Sequence, residues 1–137
     1  MKIFSEKINY ALSAIFELGK NYDRGFIQTK QIAKIQNIPK SFLEQLLIIL
    51  KNTGLVESMR GAQGGYKLTR PPNKIRIIEL IEAIESPLTI VDYSKNSEIF
   101  KIYWEKKETA FKNLFDDTLE DLINEERKLN KSLFYQI

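Results

Sequence analysis

The chain of 137 residues contains no cysteine and no histidine. The first absence excludes disulfides, thiolate metal sites and cysteine nucleophiles; the second removes the commonest general base and metal ligand. Enzymatic chemistry would have to rest on carboxylates and lysines, and these form no visible catalytic constellation. Long apolar runs are missing too. None approaches the roughly eighteen residues that a bilayer span requires, and the opening MKIFSEKINY lacks the apolar centre of a secretion signal. The expectation is a cytoplasmic protein with no membrane association and no enzymatic activity. Glycine is scarce, six in all, yet three of the six fall within RGAQGGYKL, residues 60–68.

What is present is enough for a core. Hydrophobic residues make up 43% of the chain, which suits one compact domain or a small domain with an appendage. The net charge of +3 conceals a division. Residues 1–76 carry 13 Lys and Arg against 5 Asp and Glu, whereas residues 77–137 carry 8 against 13. A basic half joined to an acidic half points to a polyanion-binding front with an uninvolved back.

From Ser5 to Lys20, Ile8, Ala11, Leu12, Ile15, Phe16 and Leu18 recur at three and four, predicting a helix with Ser5 as N-cap, ended by Gly19 and the polar run that follows. A short helix from an N-cap at Thr29 to near Asn37 carries Ile32, Ala33 and Ile35. Only about three residues separate it from the next helix, which opens at Pro39 and closes at Gly54. Leu43, Leu46, Leu47 and Leu50 form that helix's core stripe, leaving Ser41, Glu44 and Gln45 on another face. Two short helices joined by a tight turn are a helix-turn-helix pattern. LVESMR and YKLT then flank GAQGG as a hairpin, and the loop matches neither phosphate-binding glycine motif. A further apolar-sided helix over IRIIELIEAIE ends at Ser86-Pro87. The order is that of a winged helix-turn-helix domain, mainly α with one small β-hairpin, over residues 1–87.

Residues 88–137 read as a loop and then a long helix from about Ser97 bearing Phe100, Tyr103, Trp104, Phe111, Leu114 and Phe115. Thr118 and Asp121 resemble a capping box that starts a last helix. One isolated helix cannot bury so many aromatics. The stripe is expected to serve self-association as a homodimer; the alternative is that it folds back on the first helix. The tail from Leu133 to Ile137 and the loop around Tyr93 are candidate docking surfaces for an effector, or the tail closes the dimer core.

In a winged helix the glycine loop is the wing. Arg60 is placed to enter a minor groove, with Gly61, Ala62, Gln63 and Gly64 completing the tip. On the recognition helix, Gln45 can pair bidentately with adenine and Glu44 can accept from the cytosine amino group. Lys2, Lys40, Lys51 and Lys67 are phosphate candidates, which position without specifying. Each has a plainer alternative: Glu44 in a surface ion pair with Lys40 or Lys51, and Phe42 as a core or hinge residue. Double-stranded DNA is the expected partner, and a winged-helix protein-interaction module without DNA binding is the alternative.

SFLEQLLIILKNTGLVESMRGAQGGYKL resembles the Rrf-two (Rrf2) family of bacterial winged-helix repressors, the group of IscR, NsrR and CymR. In that family Y-L-E-Q-L on the recognition helix precedes G-L-V-x-S-x-R-G-x-x-G-G-Y in the wing. The similarity extends upstream to the first helix and downstream through IELIEAIESPL and the long helix. It implies a homodimer with crossing, swapped long helices and two winged domains on an imperfect palindrome. By position, Ser41, Phe42, Glu44 and Gln45 match the recognition-helix set and Arg60 to Gly64 the wing. Phe42 stands where tyrosine is usual and brings no hydroxyl. Cluster-binding members place cysteines after the hairpin domain, whereas LTIVDYSKNSEIF has none, and carboxylates alone hold an iron–sulfur centre very weakly. The chain instead resembles the cluster-free CymR-like branch, down to T-L-E-D-L and the closing L-F-Y-Q-I. That branch implies a repressor of cysteine and sulfur metabolism genes with no cofactor, governed by a cysteine-biosynthesis enzyme or a small metabolite.

Overall fold

The computed structural model describes residues 1–136, with side chains through Phe134; Ile137, and with it the end of the tail considered above, lies outside the described residues. Six helices and one hairpin follow in the order α1 (Glu6–Lys20), α2 (Thr29–Gln36), α3 (Lys40–Asn52), β1 (Val56–Met59), β2 (Gly65–Leu68), α4 (Ile77–Ile84), α5 (Glu98–Asn113) and α6 (Leu119–Gln136). The fold is mainly helical with a two-stranded antiparallel sheet, as the sequence predicts.

Apolar periodicity accounts for the layers. α1 buries Ile8, Ala11, Ala14, Ile15 and Leu18, α3 buries its four leucines, and α4 adds Ile77, Ile78, Leu80 and Ile81. These join Leu55, Val56 and Leu68 of the hairpin in one core. Leu119 and Ile123, one turn apart on α6, belong to the same core, so α6 lies against α1. Gly19 makes that approach possible. A Cβ there would stand 2.9 Å from both Leu119 Cδ2 and Ile123 Cδ1, so Gly19 is a packing residue inside α1 and not its terminator.

Two expected caps differ in detail. Ser5 occupies the N-cap of α1 in extended conformation, but its hydroxyl donates to Glu85 Oε1 at 3.0 Å. The N-cap of α2 is Gln28, one residue before the predicted Thr29, because Ile27 is held extended by a backbone pair with Tyr66. The capping box at Thr118 is formed in both directions: the Thr118 amide donates to Asp121 Oδ2 at 2.9 Å and the Asp121 amide to Thr118 Oγ1 at 3.1 Å.

The connection between α5 and α6 is stitched to the start of α4. The amides of Ile77 and Ile78 donate to the carbonyls of Asp117 and Phe115, and the Leu119 amide donates to the Ile75 carbonyl, each at 2.9 Å. Arg76 pairs with Asp116 at 2.8 Å across the same seam. Glu17, buried on α1, accepts from Gln36 Nε2 at 2.5 Å and pairs with Lys20 at 3.2 Å. Lys20 reaches on to Glu126 at 3.1 Å, so one buried carboxylate links α1, α2 and α6. Burial works to lower the Lys20 pKa, and its hydrogen bonds to Glu126 and Glu17 overcome that, leaving it raised.

Candidate nucleic-acid interface

Three residues, Asn37 to Pro39, separate α2 from α3. Asn37 is left-handed (φ 53°) and lets the chain turn sharply, while the Ile38 amide donates to the Ala33 carbonyl at 2.9 Å and closes α2. Pro39 caps α3, where its missing N–H costs nothing, and the Leu43 amide bonds its carbonyl at 2.9 Å.

With the leucines of α3 turned inward, the opposite face is set by helical geometry. Ser41, Glu44 and Gln45 are exposed there. Glu44 pairs with Lys40 at 3.9 Å, both side chains more than half exposed. Such a pair is weak and easily exchanged for another partner. Phe42 is half-buried and meets Tyr10 edge to face, ring centres 5.3 Å apart, so it couples α3 to α1 and does not stand on the polar face.

The hairpin pairs Val56 with Leu68, Glu57 with Lys67, Ser58 with Tyr66 and Met59 with Gly65. Between the strands, Arg60, Gly61, Ala62 and Gln63 form an exposed tip, and Gly64 is buried. The glycines have distinct tasks. Gly61 is left-handed (φ 106°) with open space around it and makes the turn. Gly64 and Gly65 are tight against protein: an added Cβ would fall 2.1 Å from the Met59 carbonyl oxygen or the Ile27 carbonyl oxygen respectively. They serve the wing's own packing, and the tip from Arg60 to Gln63 is its exposed turn.

The sequence reading missed what holds the wing. Ile27 and Tyr66 exchange both backbone hydrogen bonds at 2.9 Å, a single antiparallel bridge on the outer side of β2. The next residue, Gln28, donates from Nε2 to the Ala62 carbonyl at 3.0 Å and so ties the tip to the N-terminus of α2. The β-prone F-I before Gln28 was the available signal, masked by the polar residues around it.

The cationic candidates are unequally committed. Lys67 pairs with Glu57 across the strands at 3.4 Å and lies over the Phe26 ring. Lys2 pairs with Glu6 at 3.5 Å in the open. Lys51 and Arg60 are exposed and carry no ion pair among the described residues.

The aromatic stripe of α5 divides. Phe111 and Phe115 meet Phe4, with ring centres at 6.0 and 5.6 Å, and are half-buried within the chain. Phe100, Tyr103 and Leu114 are exposed along with Ile99 and Ile102; Trp104 is half-buried, edge-on to Tyr103. Tyr93 does not lie open: its hydroxyl donates to the buried Glu108 at 3.1 Å.

Residues 4–125 match the Rrf2 family, described as an iron-dependent transcriptional regulator. The chain is 40% identical over 124 residues to the HTH-type transcriptional regulator CymR of Bacillus subtilis, covering 89% of each. Among solved structures it is similar to CymR, the global cysteine regulator of B. subtilis (TM-score 0.78, 37% identity, 90% of this chain and 98% of that one). It is also similar to T. potens IscR (TM-score 0.75, 34% identity, 92% and 88%). The iron in the family's description finds no matching donors: cysteine and histidine are absent from the chain, and among the described residues no three acidic side chains gather as a metal site would require.

Proposed function

This chain belongs to the Rrf2 family of transcriptional regulators, and we propose that it is a sequence-specific DNA-binding repressor acting as a homodimer on a palindromic operator. The family is one of regulators, and the chain is not an enzyme. The observation that carries the proposal is the outward polar face of α3, opposite its leucine stripe, beside a wing whose tip is tethered to α2.

Residues 1–87 then form the reading unit and residues 88–137 carry dimerisation through the α5 face around Phe100, Tyr103 and Trp104. In the major groove Gln45 takes an adenine edge through its two amide atoms, and Glu44, released from Lys40, accepts from a cytosine amino group. Ser41 hydrogen-bonds either class of base. Arg60 enters the flanking minor groove from the wing tip. Lys2, Lys40, Lys51 and Lys67 neutralise phosphates, Lys51 at least cost because it gives up no ion pair. Two-fold symmetry sets half-sites about one or two DNA turns apart.

Regulation proceeds without an iron–sulfur cluster, since thiolate and imidazole are missing. The likeness to CymR, the global cysteine regulator of B. subtilis, supports cysteine and sulfur metabolism genes as targets, and a cysteine-biosynthesis enzyme or a small metabolite as effector, in the cytoplasm. The test is binding of Gln45→Ala and Lys51→Ala to a randomised duplex library. Gln45→Ala is expected to flatten preference at particular base pairs by about 1–3 kcal/mol, and Lys51→Ala to weaken all sequences alike with a shallower salt slope. Identical profiles for the two variants would overturn the assignment of roles.

A further inference from the structure

Ile48 is an anomaly on the recognition helix. Its side chain is 53% exposed, although α3 had buried positions for a branched aliphatic on its other side. At 100° per residue it lies opposite the core stripe of Leu43, Leu46, Leu47 and Leu50, on the line that runs from Ser41 through Gln45 to Asn52. The residues one turn away on either side are Glu44, Gln45, Lys51 and Asn52, all exposed. On its helix the isoleucine is therefore a lone apolar group among hydrogen-bonding side chains.

A protein partner would be met by an apolar patch, and this face of α3 has none. A major groove has the complementary pattern: donors and acceptors on every base pair, with one apolar group, the 5-methyl of thymine, at T positions only. We infer that Ile48 is a specificity-determining residue that packs on a thymine methyl. The base it reads lies next to those taken by Glu44 and Gln45. The rise from Ser41 to Ile48 is about 10 Å at 1.5 Å per residue, roughly the depth of three stacked base pairs, so the three readers address neighbouring steps of one half-site.

This inference rests on the DNA-binding reading and is tested apart from it. A duplex selected by the wild-type chain from a random library is resynthesised with deoxyuridine replacing each thymidine in turn, which deletes only the methyl. The wild type is expected to lose about fourfold in affinity per half-site at one thymine, the worth of one buried methyl group. Ile48→Ala should bind the thymine and uracil duplexes equally, and Ile48→Val should keep part of the difference. Being exposed, the site should let both variants fold and melt as the wild type does. A wild type indifferent to every uracil substitution, or a penalty that persists undiminished in Ile48→Ala, would overturn the inference while sequence-selective binding stood. Absence of selective binding by the wild type would instead sink the DNA reading, and this inference with it.

Discussion

At the scale of the residue, Gln28 shows how one side chain can govern a loop it does not belong to. Its bond to the Ala62 carbonyl limits the motion of a tip otherwise built for freedom by Gly61. Preorganising the tip lowers the ordering cost that binding must meet. Gln28→Ala is expected to fold normally and to lose discrimination at the A·T-rich flanks, the effect also expected of Arg60→Ala, while base preference at the α3 positions is retained; Gln28→Lys, which can still donate, should recover part of the loss. A selection profile across a randomised operator reads both variants. Uniform weakening at all positions would mean that Gln28 acts on overall affinity and not on the wing. The outward position of Ser41, Glu44 and Gln45 on α3 was legible from spacing alone, since a leucine stripe dictates which residues face away. Gln28 was not, because its partner lies 34 residues along the chain.

At the scale of the element, the hairpin is clamped to α4 by Arg70, which donates to Glu79 Oε2 at 2.6 Å and also to the Lys74 carbonyl. Glu79 in turn accepts from the Arg76 amide at 3.1 Å and caps α4. The Arg70 hydrogen bond, helped by the Arg76 amide, holds the Glu79 carboxyl below its ordinary 4.5. A depressed folded pKa means that the ionised form is favoured by folding. Its contribution is full above the ordinary value and disappears as the pH falls through the folded one. Melting temperature is therefore expected to drop more steeply in acid for the wild type than for Glu79→Gln, with the gap between them narrowing below about pH 4.5. A constant gap across that range would assign the Glu79 effect to something other than its charge. Both residues were visible as surface charges; that they meet required the β2–α4 turn to bring them together.

At the scale of the whole molecule, the winged unit and α6 share one core, whereas α5 leaves Ile99, Phe100, Ile102 and Tyr103 in the open. Apolar exposure of this kind on one helix is what a second copy would cover. In sedimentation at micromolar concentration the chain is expected to be a dimer, and Trp104→Asp to give monomer or aggregate. A wild-type monomer would remove α5 as an intersubunit element and leave its face without a proposed occupant.

What the sequence determined by itself is what repeats locally: helix after helix from apolar spacing, the hairpin from its glycines, the mainly helical fold from their order, the Thr118 capping box from its residues, and the want of soft metal ligands from composition. Periodicity and capping act over a few residues, so they survive without knowledge of distant neighbours. Packing in three dimensions was needed to settle which half of the aromatic stripe is half-buried within the chain, because Phe4 reaches Phe111 and Phe115 from the far end of the chain. It likewise decided that Gly19 yields space to α6, that Gly64 and Gly65 yield it to the backbone of Met59 and Ile27, and that Lys67 is engaged while Lys51 is not. Contacts between remote segments depend on how elements pack in three dimensions, and no local pattern encodes that.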